Sequence, residues 1–267
     1  MGAQHKVGLV LSGGGIKGAA HIGMLKALKK HNIEPTIVAG TSAGAIVGAM
    51  YTANLDEETM LDYFTGTSIF NPVNYTWKKP GLINTDALEK VLLKIFPENS
   101  FEALHRPLHI VATDITLARQ KVFSSGELVK PLLASACFPV VFSPVEIGDS
   151  IYADGGILNN FPTEPIRQRC DKLIGINVQH IEATTKKSLK STLSVFQRIY
   201  FISTRFASVA KYQDCDLVFA PESLNSYNTF DMFKIKEVYE KGYEDALKVL
   251  SKVKDLSQFQ LDDKNGG

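Results

Sequence analysis

The apolar and polar positions of the chain switch repeatedly between strand-like and helix-like spacing. Val7–Leu11 (VGLVL) is a short apolar run ended by Ser12 and three glycines, which predicts a buried strand entering a tight loop. Positions 19–30 follow with helical spacing that puts Ile22, Leu25 and Leu28 on one face. Positions 36–39 predict a second strand, broken by Gly40, and a small-residue helix runs over 43–53. Strand, helix, strand, helix at this spacing predicts an α/β fold of three layers, a mostly parallel central sheet with helices on both faces.

Asp56 is expected to cap a helix reaching Phe64, and Thr85 another reaching Phe96. Positions 108–113, 120–123 and 173–178 read as further strands, and 146–152 as a hairpin turning at Gly148-Asp149. Two long helices, over 189–212 and 234–252, close the pattern. Neither an internal repeat nor a Pro-, Gly- or Ser-rich linker divides the chain. One domain over 1–255 is expected, with a polar, frayed tail over 256–267.

Composition narrows the partners. With 45% hydrophobic residues among 267, a disordered chain is excluded, and a net charge of +1 gives no pull toward nucleic acid. Three cysteines (Cys137, Cys170, Cys215) are too few and scattered for a disulfide framework or a thiolate zinc site. The histidines show no ligand spacing, so no metal and no other cofactor is expected. No apolar run approaches the ~18–20 residues of a spanning helix, and 7–11 is too short for a signal-peptide core. A cytoplasmic protein is expected. Nothing in the sequence addresses oligomeric state.

Three segments carry candidate chemistry. Gly40-Thr41-Ser42-Ala43-Gly44 matches G-x-S-x-G where a strand turns into a helix, the setting of a nucleophile elbow. Residues flanking Ser42 in so sharp a turn must lack bulk, and Gly40, Ala43 and Gly44 do; a Gly-rich turn with an N-capping serine is the plainer alternative. Gly13-Gly14-Gly15-Ile16-Lys17-Gly18 satisfies G-x-G-x-x-G, but the second strand lacks the acidic end that a dinucleotide site requires. A row of N–H groups beside Ser42, an oxyanion hole, is the better use of that loop. Asp154-Gly155-Gly156 follows an apolar strand, and taken alone it reads as an Asp-Gly turn.

In this order, and with 134–144 (ASACFPVVFSP) and 157–162 (ILNNFP), the three segments resemble the patatin-like phospholipase family of lipid acyl hydrolases. The resemblance covers about residues 6–180. It implies that Ser42 is a nucleophile and Asp154 its partner in a two-residue dyad. Gly13, Gly14 and Gly15 would supply oxyanion-hole N–H groups, with Gly155 and Gly156 supporting the aspartate. The implied substrate is a lipid or lysophospholipid ester, cleaved through an acyl-serine. An acyltransferase or thioesterase on the same machinery, or a lipid- or nucleotide-binding regulatory module, remains open.

The dyad poses a chemical difficulty. A carboxylate of reference pKa ~3.9 lies about 2.6 pK units below histidine and is a poor base in water. Burial would raise it, and a dry oxyanion hole would stabilise the charge formed on attack. The competing scheme adds His180, in the chain order Ser42, Asp154, His180 of α/β-hydrolases, yet the elbow follows the second strand, earlier than such enzymes place it. His21 is expected to pack against or orient the Gly loop, and Asp114 to serve a structural hydrogen bond.

Two segments suggest a greasy partner. Residues 67–84 are unusually apolar for a connection, with Phe70 and Trp77, and read equally as a lid over the acyl chain or as a satellite core. Residues 183–213 hold six basic side chains (Lys186, Lys187, Lys190, Arg198, Arg205, Lys211) and no acidic one, mixed with apolar residues at helical spacing. Peripheral contact with an anionic membrane is one reading; a core helix with a solvated basic face is the commoner arrangement.

Overall fold

The computed structural model describes residues 6–66, 83, 85–227 and 231–260. Residues 67–82 and 84, which include Phe70 and Trp77 of the lid reading, lie outside the described residues.

The first apolar run forms β1 (Val7–Leu11), parallel to β2 (Ile37–Thr41) on one edge and to β7 (Lys172–Ile176) on the other. Strand β8 (Leu217–Phe219) continues the parallel set beyond β7, and β3 (Leu108–Asp114) continues it beyond β2. Three antiparallel strands complete the sheet: β4 (Arg119–Phe123) and β6 (Ser150–Asp154) on β3, and β5 (Val145–Ile147) on β6. All five residues of β1 are buried, as are those of β2 and β3, as expected of strands covered on both faces.

Alternate residues feed two cores. Leu9, Leu11, Val38, Ile110 and Ile176 face the larger one, beneath α1 (Gly18–Lys30), α2 (Ala43–Thr52) and α8 (Ile235–Leu250). Val10, Ala39 and Leu173 face a smaller core closed by Phe161 and Ile166. The remaining helices are α3 (Glu57–Gly66), α4 (Asp86–Ile95), α5 (Val129–Ala136), α6 (Gly156–Asn159) and α7 (Thr192–Ala210). Helix α7 opens on a capping box in which Ser191 and Ser194 exchange side-chain-to-backbone hydrogen bonds. The architecture is the expected α/β fold with a central sheet flanked by helices.

Two expectations need correction. The tail beginning at 256 is not polar throughout: Phe259 is buried in the larger core, and Gln260 Nε2 donates to the His31 carbonyl at 2.8 Å. Helix α7 is not a core helix with a basic solvated face. Its outward face is apolar, with Ile199 62% and Phe206 74% exposed.

One register detail positions the site. Val111 of β3 pairs with Val122 of β4 and with Thr41 of β2; Ala112 pairs with Lys121 of β4 and with Asp154 of β6. Since β4 occupies one edge of β3, β2 and β6 share the other. They run toward each other along it, and their C-terminal residues, Thr41 and Asp154, stand opposite consecutive residues of β3.

Candidate active site

The chain leaves β2 through Ser42, which has φ 54° and ψ −125° and forms the N-cap of α2. Such a backbone conformation costs a non-glycine residue about 1–3 kcal/mol, so its surroundings must enforce it. A Cβ on Gly40 would lie 2.6 Å from the Gly44 carbonyl oxygen, so the elbow closes only around a glycine. Ser135 of α5 holds the turn from the other side. Its Oγ accepts from the Ser42 N–H at 2.8 Å and donates to the Val111 carbonyl at 2.6 Å.

Ser135 lay inside a recognised sequence block without an assigned role. Ser135→Ala leaves the partly buried Ser42 N–H without this acceptor, a loss of about 1 kcal/mol. A denaturant titration should show that loss in the midpoint, with the slope unchanged.

Asp154 ends β6 and is 2% exposed. Its Oδ1 accepts from the Gly156 N–H at 2.7 Å and from the Tyr200 hydroxyl at 3.2 Å. Burial raises its pKa from 3.8 to about 6, against the lowering effects of hydrogen bonds from the Ser42 hydroxyl, the Gly156 N–H and Tyr200. The Asp154 carbonyl accepts from Thr113 Oγ1 at 3.0 Å, which fixes the strand end. Tyr200 belongs to α7, whose sequence gave only an amphipathic pattern and no sign of a polar role.

The glycine loop runs beside Ser42, but its three N–H groups are not equivalent. The Gly13 N–H donates to the Asn160 carbonyl at 3.2 Å, so this member of the expected trio is already engaged. Gly15 has φ +60°, a conformation open to glycine. Upstream, Ser12 Oγ accepts from the Val178 N–H at 3.1 Å, and the Ser12 carbonyl lies 2.9 Å from His21 Nε2. Burial lowers the His21 pKa to about 4, so the neutral ring donates Nε2–H to that carbonyl and orients the loop as expected.

Ser42, Asp154 and Gly13–Gly15 line one cavity of about 90 Å³. Its wall is apolar and aromatic, formed by Ile46, Tyr63, Phe64, Leu88, Phe138, Phe142, Phe201 and Met232. Asn160 and Gln179 add a polar edge, with Asn160 Nδ2 donating to Gln179 Oε1 at 2.8 Å. Gln179 lines the cavity and its neighbour His180 does not. Asp114 Oδ1 instead accepts from the N–H groups of Thr116 and Leu117 at 3.1 and 2.9 Å, the structural role expected of it. Among the described residues no group of three or more His, Cys, Asp or Glu side chains could hold a metal ion. No described helix is long and apolar enough to cross a membrane.

Known proteins resemble this chain in sequence and in fold. The chain is 26% identical over 270 residues to patatin-like phospholipase domain-containing protein 6 of Mus musculus, a match covering 89% of this chain and 20% of that protein. It is 25% identical over 267 residues to lysophospholipase NTE1 of Kluyveromyces lactis, covering 89% of this chain and 18% of that one. The chain thus spans about a fifth of the length of these curated relatives. The crystal structure of VipD from Legionella pneumophila has the same fold, with a TM-score of 0.55 at 15% identity over 92% of this chain and 67% of that one. Residues 9–167 match the patatin-like phospholipase family, and the chain belongs to that family.

Proposed function

We propose that the protein is a serine acyl hydrolase that cleaves carboxylic esters of lipids, of phospholipase A or lysophospholipase type. The observation that carries this reading is the meeting of Ser42, on its strained elbow, with a buried Asp154 in one apolar cavity. The names of the relatives, a patatin-like phospholipase and a lysophospholipase, agree with it.

In the proposed reaction Ser42 Oγ attacks the ester carbonyl while Asp154 takes the hydroxyl proton. The Gly14 and Gly15 N–H groups and the positive end of α2 stabilise the oxyanion. Collapse breaks the bond to the leaving alcohol, which receives the proton from Asp154 and leaves an acyl-Ser42. Asp154 then takes a proton from water, the hydroxide adds to the acyl carbon, and fatty acid departs as Ser42 Oγ regains a proton. No step calls on a cofactor.

Burial eases the weakness of a carboxylate base. With a pKa of about 6, Asp154 is a stronger base than an exposed aspartate and is still ionised at pH 7. Wild type incubated with a monoacyl phosphatidylcholine should release free fatty acid, read by mass spectrometry. Ser42→Ala should lower that rate by about 10⁴-fold or more. Equal turnover by the two proteins would remove Ser42 from the mechanism.

A further inference from the structure

Helix α7 has two faces with different tasks. On one, Thr204 and Ser208 are buried, Tyr200 and Phe201 line the cavity, and Phe196, Tyr200 and Phe201 pack around Phe138. On the other, Val195, Ile199, Ile202, Phe206 and Val209 recur at alternating steps of four and three, which aligns them in one stripe. All five are exposed. Arg198 and Arg205 border one side of the stripe, and Lys186, Lys187 and Lys190 stand exposed on the segment leading into the helix. A second element reaches the same cavity: Met232 lines it, and its neighbour Phe233 is 99% exposed.

We infer that the outer face of α7, with Phe233, docks on an anionic lipid bilayer. The stripe would enter the acyl boundary while the arginines and lysines meet the headgroups. Charge decides between this occupant and a second copy of the chain. Two copies paired antiparallel through the stripe would bring their Arg198 and Arg205 side chains together, and α7 carries no carboxylate of its own to pair with them. Anionic headgroups supply the missing charge. Because Tyr200 and Phe201 of the same helix line the cavity, docking would hold a wall of the cavity beside the bilayer that supplies the lipid. That delivery rests on the lipid-hydrolase reading; the docking does not.

The test is flotation with vesicles of phosphatidylcholine, alone or mixed with phosphatidylglycerol. Wild type should float with the mixed vesicles and bind about tenfold less to phosphatidylcholine alone or at high salt. The double variant Ile199→Gln/Phe206→Gln should lose at least tenfold of the binding to mixed vesicles. The triple variant Lys187→Gln/Lys190→Gln/Arg205→Gln should lose the dependence on anionic lipid. Both should keep the wild-type melting temperature and the wild-type rate on a soluble short-chain ester. Wild type that stays unbound, or variants that bind as well as wild type, would overturn the inference. So would light scattering that finds a wild-type dimer and a monomeric Ile199→Gln/Phe206→Gln, because the stripe would then be a self-interface. Wild type that floats yet hydrolyses no ester would sustain the docking and remove the hydrolase reading.

Discussion

Asp154→Asn is expected to abolish ester hydrolysis and, at neutral pH, to make the folded chain more stable. The two effects share a cause. Burial raises the Asp154 pKa from 3.8 to about 6, so the fold favours the protonated acid. Its contribution to stability is therefore full below pH 3.8, falls as pH rises through 6, and then stays low. The difference amounts to ~3 kcal/mol, at 1.36 kcal/mol per pK unit. Asparagine resembles the protonated acid in shape and can still accept from the Gly156 N–H and Tyr200. At pH 8 urea denaturation should show the variant more stable by up to ~3 kcal/mol, and at pH 3 the gain should vanish. Its ester hydrolysis should fall by orders of magnitude at every pH, since an amide cannot take the serine proton. In wild type, kcat/KM on a soluble ester should rise with pH through about 6, because the free base must be ionised. A variant less stable than wild type at pH 8 would show that the carboxylate is held by its partners and not strained by burial.

Gly44→Ala should damage both stability and chemistry. A Cβ on Gly44 would meet the carbonyl oxygens of Leu11 and Ser12, main-chain atoms that no rotamer change can move aside. Either α2 or the end of β1 must shift. Overpacking of this kind costs about 1–3 kcal/mol or more. On the proposed mechanism the shift also reaches the chemistry, since the end of β1 leads into the proposed donors Gly14 and Gly15 and Ser42 caps α2. Misplacing an oxyanion donor costs about 10²–10³ in rate. Denaturant unfolding and kcat should therefore both fall. Normal stability and normal kcat would show that the two loops are less tightly coupled than their contact implies.

Much of the candidate site is legible because the chemistry proposed for it sits in short segments where glycine has few alternatives. The elbow at 40–44 and the loop at 13–18 each follow a strand and precede a helix, and the apolar run of β1 made that order visible. Asp154 was weaker evidence, and only its company with the other segments raised it above a turn. The structure adds what spacing cannot hold. The juxtaposition of Thr41 and Asp154 depends on the register of both against β3, whose pairing is decided by tertiary packing. Ser135 and Tyr200 arrive from α5 and α7, distant in sequence, and a serine or tyrosine on a helix carries no pattern of its own.

The Gly13 N–H illustrates the same limit at one bond, since its acceptor, the Asn160 carbonyl, lies far along the chain. The outward face of α7 is hidden from sequence for a different reason. Both of its faces are apolar, so periodicity identifies the helix without saying which face meets the core. Strand β8, three residues long, and α5, which starts at Val129-Lys130-Pro131, offer too little pattern to call out.

The central claim is that Ser42 is the covalent nucleophile, and a fluorophosphonate probe tests it most directly. Wild type incubated with the probe and digested should yield one modified peptide, with the phosphonyl group on Ser42 at one mole per mole of protein. Ser42→Ala should take up none under the same conditions. An adduct on Ser135 or on any other residue, or equal labelling of Ser42→Ala, would contradict the account.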